Sequence, residues 1–431
     1  MRVSIISKLF FRKPVAFFIL KWILISAVIG ILVGSASAFF LIALDWATSL
    51  REENLWIIAL LPLAGLLVGL SYYLWGQNVE AGNNLLLEEI HHPEKTIPLK
   101  MAPLVLIGTV TTHLFGGSAG REGTALQMGA SIADQLTKLF RLRPRDRRLL
   151  LIAGIAAGFG SVFGTPLAGA IFGLEVFLIG QLRYDALFPA FASSIFADLA
   201  TRTWGVGHTS YQIDLLPEFN LLNIIYAIAA GIAFGLVSVA FSRSTHAIGS
   251  LFKQYISYPP LRPFVGGCLV ALAVYFIGTT RYIGLGVPVI VEAFQTPVPA
   301  YDFALKILFT SVTLGAAFKG GEVTPLFFIG ATLGNALSTI IPLPMGLLAG
   351  MGFVAVFAGA ANTPIACTLM AIELFGAESA VFVALACVTA YFFSGHRGIY
   401  QSQVIGQPKH FIFGRETGKR LSEIQKAKRK R

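Results

Sequence analysis

Long runs of apolar residues, separated by short polar or glycine-rich segments, recur along the whole chain. The longest apolar runs cover residues 15–44, 55–75, 149–180, 221–241 and 265–278. Each is near or above the roughly 20 residues that a helix needs to cross the hydrocarbon core of a bilayer. The 44 glycines and 20 prolines fit helices that are broken and closely packed. The pattern therefore predicts an all-α polytopic membrane protein.

Glycine, asparagine and proline mark where the predicted helices break. We expect two long helices, then shorter ones, then a polar linker at the midpoint of the chain. The expected helices cover 15 to about 50, 55–75, a piece within 82–89, 102–115, 149–161, 165–181 and 186–200, and the linker is 201–220. The piece within 82–89 is too short to span a bilayer.

The second half of the chain repeats the landmarks of the first half. Glu322, Thr324 and Leu326 each stand 200 residues after an identical residue, and Glu373 stands 198 after Glu175. The Gly-Leu-Gly-Val-Pro run that begins at 284 lies 202 residues beyond Gly82. We therefore predict two structural halves with interrupted helices at matched positions.

These landmarks set the expected domain limits. We expect a basic arm at 1–14, a first transmembrane half at 15–200 and a second at 221–400, joined by the linker 201–220. Residues 401–431 are expected to form a basic tail without a regulatory nucleotide-binding domain. We interpret the lysines and arginines of this tail as a run of charges exposed to solvent.

The net charge of +11 does not indicate nucleic-acid binding, because the basic residues gather beside apolar runs at both ends of the chain and at 141–148. This distribution follows the positive-inside rule and predicts that both termini are cytoplasmic. The helix after Glu122 leads to the basic linker, whereas the helix after Thr324 leads to the uncharged segment 340–344. Opposite directions predict an inverted repeat, an architecture of transporters whose half-helices meet at a central substrate site.

Candidate chemistry lies in the stretch GGSAGREGTALQMGA, residues 116–130. Glu122 stands among glycines at a predicted helix start, where free backbone N–H groups and the positive end of the helix dipole attract anions. A buried carboxylate is costly unless it is paired or functional. The sequence thus places an acidic side chain where an anion would bind.

Several motifs together identify a family. GREGT at 120–124, GLGVP at 284–288, GEVTP at 321–325 and the two Thr-Pro segments that precede Glu175 and Glu373 resemble the CLC anion channels and transporters over residues 15–400. The resemblance implies a homodimer of independent pores, with four loops around the anion. Those loops are 82–86, 120–124, 321–325 and the segment at Tyr400.

Departures from the usual chloride-type motifs resemble the fluoride-specific branch of that family, which exports fluoride in exchange for protons. The first loop reads Gly-Asn-Asn-Leu-Leu, and the second loop ends in Thr124 and not proline. Val176 occupies the position of the usual inner proton-transfer glutamate. The fluoride branch lacks that glutamate too, and its acidic residue in the third loop, here Glu322, is implicated in proton transfer instead.

The resemblance assigns a role to each loop residue. Glu122 is expected to be a protonatable anion gate, and an ion pair with Arg121 is the structural alternative. Arg121 is expected to brace loop carbonyls. Glu322 is either a proton carrier or an acceptor for nearby backbone N–H groups. The expected anion contacts are Asn83, Asn84, Gly120, Gly123, Thr124, Val323, Thr324 and Tyr400.

Alternatives remain for the neutral donors. Asn83 and Asn84 would supply compact amide donors for strongly hydrated fluoride, or would only cap the short helix that follows them. Thr324 would supply a hydroxyl, or would only be an N-cap. Tyr400 would face the anion, or would anchor the chain at the membrane interface.

The sequence as a whole favours an inner-membrane CLC homodimer that exports fluoride against protons and is not an enzyme. No cofactor or metal site is expected, and the partners are fluoride or chloride, protons and the lipid bilayer. A chloride/proton antiporter or chloride channel of the same family is the first alternative. A membrane scaffold or receptor without transport is the second.

Overall fold

The first half of the chain folds into eight α-helices that range from 9 to 51 residues. In this computed structural model, residues 3–429 are described. The helices are α1 (Val3–Glu53), α2 (Leu61–Trp75), α3 (Asn83–His91), α4 (Met101–Leu114), α5 (Glu122–Leu139), α6 (Pro144–Phe163), α7 (Pro166–Glu175) and α8 (Leu187–Thr203).

The second half begins with another long helix and follows the same order of long and broken helices. Its helices are α9 (Leu221–Tyr255), α10 (Leu261–Ile277), α11 (Val287–Gln295), α12 (Asp302–Gly315), α13 (Val323–Leu337), α14 (Met345–Ala361), α15 (Pro364–Phe375), α16 (Ala380–Phe393) and α17 (Leu421–Arg429). Two short strands, β1 (Leu178–Ile179) and β2 (Val404–Ile405), pair in parallel.

The predicted all-α architecture with broken helices is confirmed, with three corrections at helix ends. The stretch 55–75 is a 3₁₀ helix over Leu55–Leu60 followed by α2, because Pro62 fits the first turn of a new helix. The helix expected over 165–181 ends at Glu175, and β1 follows it. The helix α6 starts at Pro144, inside the segment expected to be a basic linker.

The residues described include three helical stretches long and apolar enough to cross a membrane, namely 15–53, 55–75 and 221–255. The other apolar helices are shorter, with 10 to 17 residues. Short helices of this kind begin and end inside a membrane domain only where neighbouring protein satisfies their free backbone groups. Their ends are therefore where a polar site can form.

Close contacts between small residues hold the central helices together. The helices α13 and α14 cross where Gly330 faces Gly352, and a Cβ atom on Gly330 would collide with the backbone carbonyl of Gly352. Beside this crossing, Phe327 stacks on Phe353 with ring centroids 4.0 Å apart. Such close packing fixes the start of α13 in position.

Two glutamates join the halves at the starts of α7 and α15. The carboxylate of Glu175 accepts hydrogen bonds from the backbone N–H groups of Ile365 (3.2 Å) and Ala366 (2.9 Å). The carboxylate of Glu373 accepts from Leu167 (2.9 Å) and Ala168 (2.8 Å). Each glutamate thus satisfies free N–H groups in the first turn of a helix of the opposite half.

The segment after Tyr400 is folded, which corrects its interpretation as a solvated charge run. The strand β2 pairs with β1, and Leu421 and Ile424 of α17 are buried against Ile179. Lys409 is also buried and donates to the carbonyl oxygen of Tyr391 at 2.7 Å. Burial lowers the pKa of Lys409. The last two residues of the tail and the first two of the basic arm lie outside the described part. From Val3 onward, the backbone of the arm belongs to α1.

Candidate functional site

The two glycine-rich loops of the repeat meet in an antiparallel backbone pair. Gly120 N donates to Gly321 O at 2.6 Å, and Gly321 N donates to Gly120 O at 2.7 Å. The pair sets the start of α5, at Glu122, beside the start of α13, at Val323. Two helix N-termini with their free N–H groups therefore converge at one place between the halves.

Glu122 bridges these two helix starts. Its side chain is fully buried, and its Oε2 accepts from Thr324 N at 3.0 Å. Its Oε1 accepts from the hydroxyl of Thr324 at 2.5 Å, and Arg121 N donates to Oε2 at 3.1 Å. The carboxylate of the first half thus occupies the anion-attracting start of a helix from the second half. Thr324 lies within the first turn of α13, so it is not the N-cap residue.

Arg121 lies next to the same carboxylate. Its Nε is 3.5 Å from Glu122 Oε1, which is ion-pair distance and beyond a good hydrogen bond. The side chain of Arg121 is 17% exposed, whereas that of Glu122 has no exposure. The ion pair considered from the sequence is therefore present, and bracing of loop carbonyls by Arg121 stays a prediction.

The loop glycines have no side-chain atoms, which lets neighbouring polar groups come close to the backbone. A Cβ atom on Gly120 would lie 2.9 Å from Glu122 Oε2, and one on Gly123 would lie 3.0 Å from the amide nitrogen of Asn83. The hydroxyl of Thr124 is directed elsewhere, since it hydrogen-bonds Thr109 at 2.6 Å. Of the second-loop residues expected to contact the anion, Thr124 thus has its side chain engaged with α4.

The asparagines of the first loop lie inside α3 and not at its capping position. Gly82, with a φ of 57°, is the N-cap residue, which corrects the alternative that Asn83 and Asn84 only cap this helix. Asn84 Oδ1 accepts from Ser402 N at 3.1 Å and links the loop to the segment after Tyr400. Asn83 Oδ1 is buried and has no hydrogen-bond partner within residues 3–429.

Tyr400 and Glu322 also carry polar groups near this junction. Tyr400 is 3% exposed, and its hydroxyl finds no partner in the described part of the chain. A buried and unpaired hydroxyl is costly, so it marks a place for an unseen water or ion. Glu322 is half-buried at the N-cap of α13, where its side chain makes no capping hydrogen bond to this fully described helix. Val323 is fully buried beside it.

A small cavity of about 20 Å³ adjoins Glu122 on the side of Arg121. Thr324 also lines it, together with three residues of the 201–220 linker, namely His208, Thr209 and Tyr211. The volume is close to what one water molecule needs. Sequence reasoning missed these linker residues, because their polar composition resembles that of any loop between two halves.

The position of the usual inner glutamate is apolar and closed. Val176 is 2% exposed, and its carbonyl oxygen accepts from Gln403 Nε2 at 2.6 Å. No group of three or more histidine, cysteine, aspartate or glutamate side chains in the described part could hold a metal ion.

Comparisons with known proteins agree with this geometry. The family model for voltage-gated chloride channels matches residues 64–395. A chloride/fluoride channel protein of Pseudomonas syringae pv. tomato is 55% identical over 410 residues, which are 93% of this chain and 91% of that protein. An H⁺/Cl⁻ exchange transporter of Yersinia pestis bv. Antiqua is 27% identical over 82% of this chain and 80% of its own length.

Solved structures show the same architecture. The crystal structure of a CLC-type fluoride/proton antiporter superposes with a TM-score of 0.87 at 34% identity, covering 90% of this chain and 98% of its own. A slow cyanobacterial Cl⁻/H⁺ antiporter shares the fold alone, with a TM-score of 0.73 at 20% identity over 95% of this chain and 99% of its own. This chain therefore belongs to the voltage-gated chloride channel family, CLC, a family of anion-transporting membrane proteins.

Proposed function

We propose that this protein exports fluoride in exchange for protons and that Glu122 is the protonatable gate. The observation that carries the proposal is the position of the Glu122 carboxylate on the N–H and hydroxyl of Thr324. These donors would serve a fluoride ion equally well, since fluoride is a compact and strong acceptor. The carboxylate and the anion therefore compete for one set of donors.

Protonation of Glu122 decides that competition. The charged carboxylate holds the donors of Thr324, whereas the neutral acid accepts more weakly and leaves the helix start to the anion. A proton bound on Glu122 thus admits the anion to the helix start. Alternation between these two states couples proton entry to anion exit.

Compact donors near the junction favour fluoride over larger halides. The hydroxyl of Tyr400 is buried without a partner in residues 3–429, and the donor nitrogen of the Asn83 amide faces Gly123 at this junction. A dehydrated fluoride needs several short hydrogen bonds, and these groups supply them with Thr324. Fluoride is named for two similar proteins, a chloride/fluoride channel protein and a fluoride/proton antiporter.

Glu322 is the proposed proton carrier toward the cytoplasm, because Val176 cannot carry a proton. The side chain of Glu322 makes no capping hydrogen bond to α13, whose residues are all described. A charged carboxylate here would repel fluoride, whereas a protonated one would not.

The proposed setting is the inner membrane, with both termini cytoplasmic and two copies forming a homodimer. The dimer surface would use α7, α8, α15 and α16, which carry apolar side chains that are at least 40% exposed. These are Leu167, Ile195, Leu199, Ile365, Val381, Val388, Phe392 and Phe393. The proposed domain limits remain 1–14, 15–200, 201–220, 221–400 and 401–431.

The reversal potential of fluoride current across liposomes tests the function. With equal fluoride on both sides and a pH gradient, a proton-coupled exchanger reverses away from zero, whereas a channel reverses at zero. Chloride passing as readily as fluoride would support the chloride-transporting alternative. No anion flux from purified, folded protein would favour a scaffold or receptor.

A further inference from the structure

The part of the interhelical linker that follows α8 folds over the outer side of the Glu122 site. We name residues 204–213 the outer strap. At its start, Trp204 Nε1 donates to Ser35 Oγ at 3.0 Å. Near its end, the ring of Tyr211 lies 5.4 Å from that of Phe294 and 5.1 Å from that of Phe353. The outer strap is thus attached at both ends to transmembrane helices.

Because the outer strap covers Glu122, protons need a route past the strap to reach its carboxylate. Glu122 has no solvent exposure, yet in the proposed cycle it must exchange protons with the external solution. The space between Glu122 and the outer strap is the cavity of about 20 Å³, which His208 also lines. One water molecule in that cavity has polar partners on both sides.

His208 is built into the fold and not loose in the loop. Its side chain is 12% exposed, and its ring packs on Gly164, where any Cβ atom would collide with it. Its Nε2 lies 3.8 Å from Asp198 Oδ1, and neither atom has a hydrogen-bond partner among residues 3–429. The other oxygen of Asp198 accepts from Arg202 Nε at 2.8 Å. A histidine that lines the cavity therefore has a carboxylate beside it.

The charges around His208 favour its neutral form near neutral pH. Burial lowers the pKa of His208, Arg121 and Arg202 lower it further, and Asp198 acts in the opposite direction. From α6, the backbone carbonyl of Val162 accepts a hydrogen bond from the ring. Glu122 and Tyr211 are the other titratable groups on the cavity. A neutral imidazole can both accept and donate a proton.

We propose that His208, positioned by Asp198, relays protons between the external solution and Glu122. The ring takes one proton from external water and gives one proton to the cavity water. That water passes one proton to the Glu122 carboxylate, so protons balance at each step. This inference rests on the proposed proton-coupled function.

The test is chemical rescue of His208→Ala in liposomes. Fluoride efflux is followed with an electrode while valinomycin and potassium set the voltage, with equal imidazole on both sides of the membrane. We expect efflux to fall about 10- to 100-fold, at or below the lower end of what a positioned proton-transfer group contributes. Added imidazole should restore much of the rate, because the missing ring leaves space beside the cavity. The control His92→Ala removes an exposed histidine and should behave as wild type with or without imidazole.

Two further variants separate a relay from a packing role. His208→Gln keeps a polar side chain of similar size, and we expect it to be as slow as His208→Ala. Asp198→Asn removes the charge that raises the pKa of His208, so the pH at which turnover falls off should move to lower values. Fluoride binding measured by calorimetry should be retained in each variant that relays poorly.

The inference is overturned if His208→Ala and His208→Gln keep the wild-type rate and external pH profile. It is equally overturned if both are slow, bind fluoride and show no response to imidazole. Failure of the proposed function looks different, because the wild-type protein itself would then move fluoride without protons.

Discussion

Glu175 and Glu373 each accept two backbone hydrogen bonds from the first turn of the helix that carries the other. The helices α7 and α15 belong to opposite halves of the repeat, and the C-terminal end of each helix meets the N-terminus of the other. The acidic residues therefore act as reciprocal caps. This arrangement indicates an architectural role for both glutamates.

Replacing these caps should destabilise the protein without removing its gate. In Glu175→Gln the side chain keeps one acceptor oxygen for two N–H groups, so we expect a loss of about 1.5–3 kcal/mol, the range for hydrogen bonds to charged groups. Thermal unfolding in detergent measures the loss. Glu378→Gln, an exposed site next to α15, is the control. An unchanged midpoint for Glu175→Gln would contradict the capping role.

Loss of the charge on Glu122 should uncouple fluoride from protons. Glu122→Gln keeps the size of the side chain but cannot titrate, so fluoride-driven proton movement in vesicles should disappear. The exposed Glu80→Gln should retain it. Coupling that survives unchanged in Glu122→Gln would refute the gate.

The hydroxyl of Tyr400 should contribute to fluoride binding. Because this buried group has no partner in the described chain, we expect it to donate to a bound anion. Removing a hydrogen bond to a charged group costs about 1.5–3 kcal/mol, so Tyr400→Phe should bind fluoride about 10- to 100-fold more weakly. Calorimetric titration with fluoride measures this, with the 71% exposed Tyr184→Phe as control. Equal affinity would contradict this contact.

The crossing of α13 and α14 should tolerate no larger residue at Gly330. An alanine there would push the backbones apart and cost about 1–3 kcal/mol or more. It would also shift the start of α13, so fluoride transport should fall together with the thermal midpoint. Gly414→Ala, where nothing lies within 4 Å of the added Cβ atom, should be neutral. A fully stable Gly330→Ala protein would show that this crossing adapts.

Much of the fold and part of the site could be predicted because they depend on residue identity at fixed spacing. Glu122 and Glu322 stand 200 residues apart, and the loops that hold them pair through Gly120 and Gly321. Helix starts follow glycine and proline, which act locally. Such signals survive in a single sequence.

The outer strap could not be predicted, because its position depends on contacts that no local pattern encodes. Tyr211 is held by phenylalanines of α11 and α14, more than 80 residues further along the chain. The end of α7 was also missed, since the apolar run continues through β1. That strand forms only because residues near 404 pair with it.

The pairing of Gly120 with Gly321 has a consequence during biosynthesis. About two hundred residues separate these glycines, so at 5–20 residues per second the ribosome needs about 10–40 s to bridge them. During that interval the nascent first half already carries Glu122, but Thr324 has not been made. During synthesis the Glu122 carboxylate therefore lacks, for this interval, the two donors of Thr324 that it has in the folded protein.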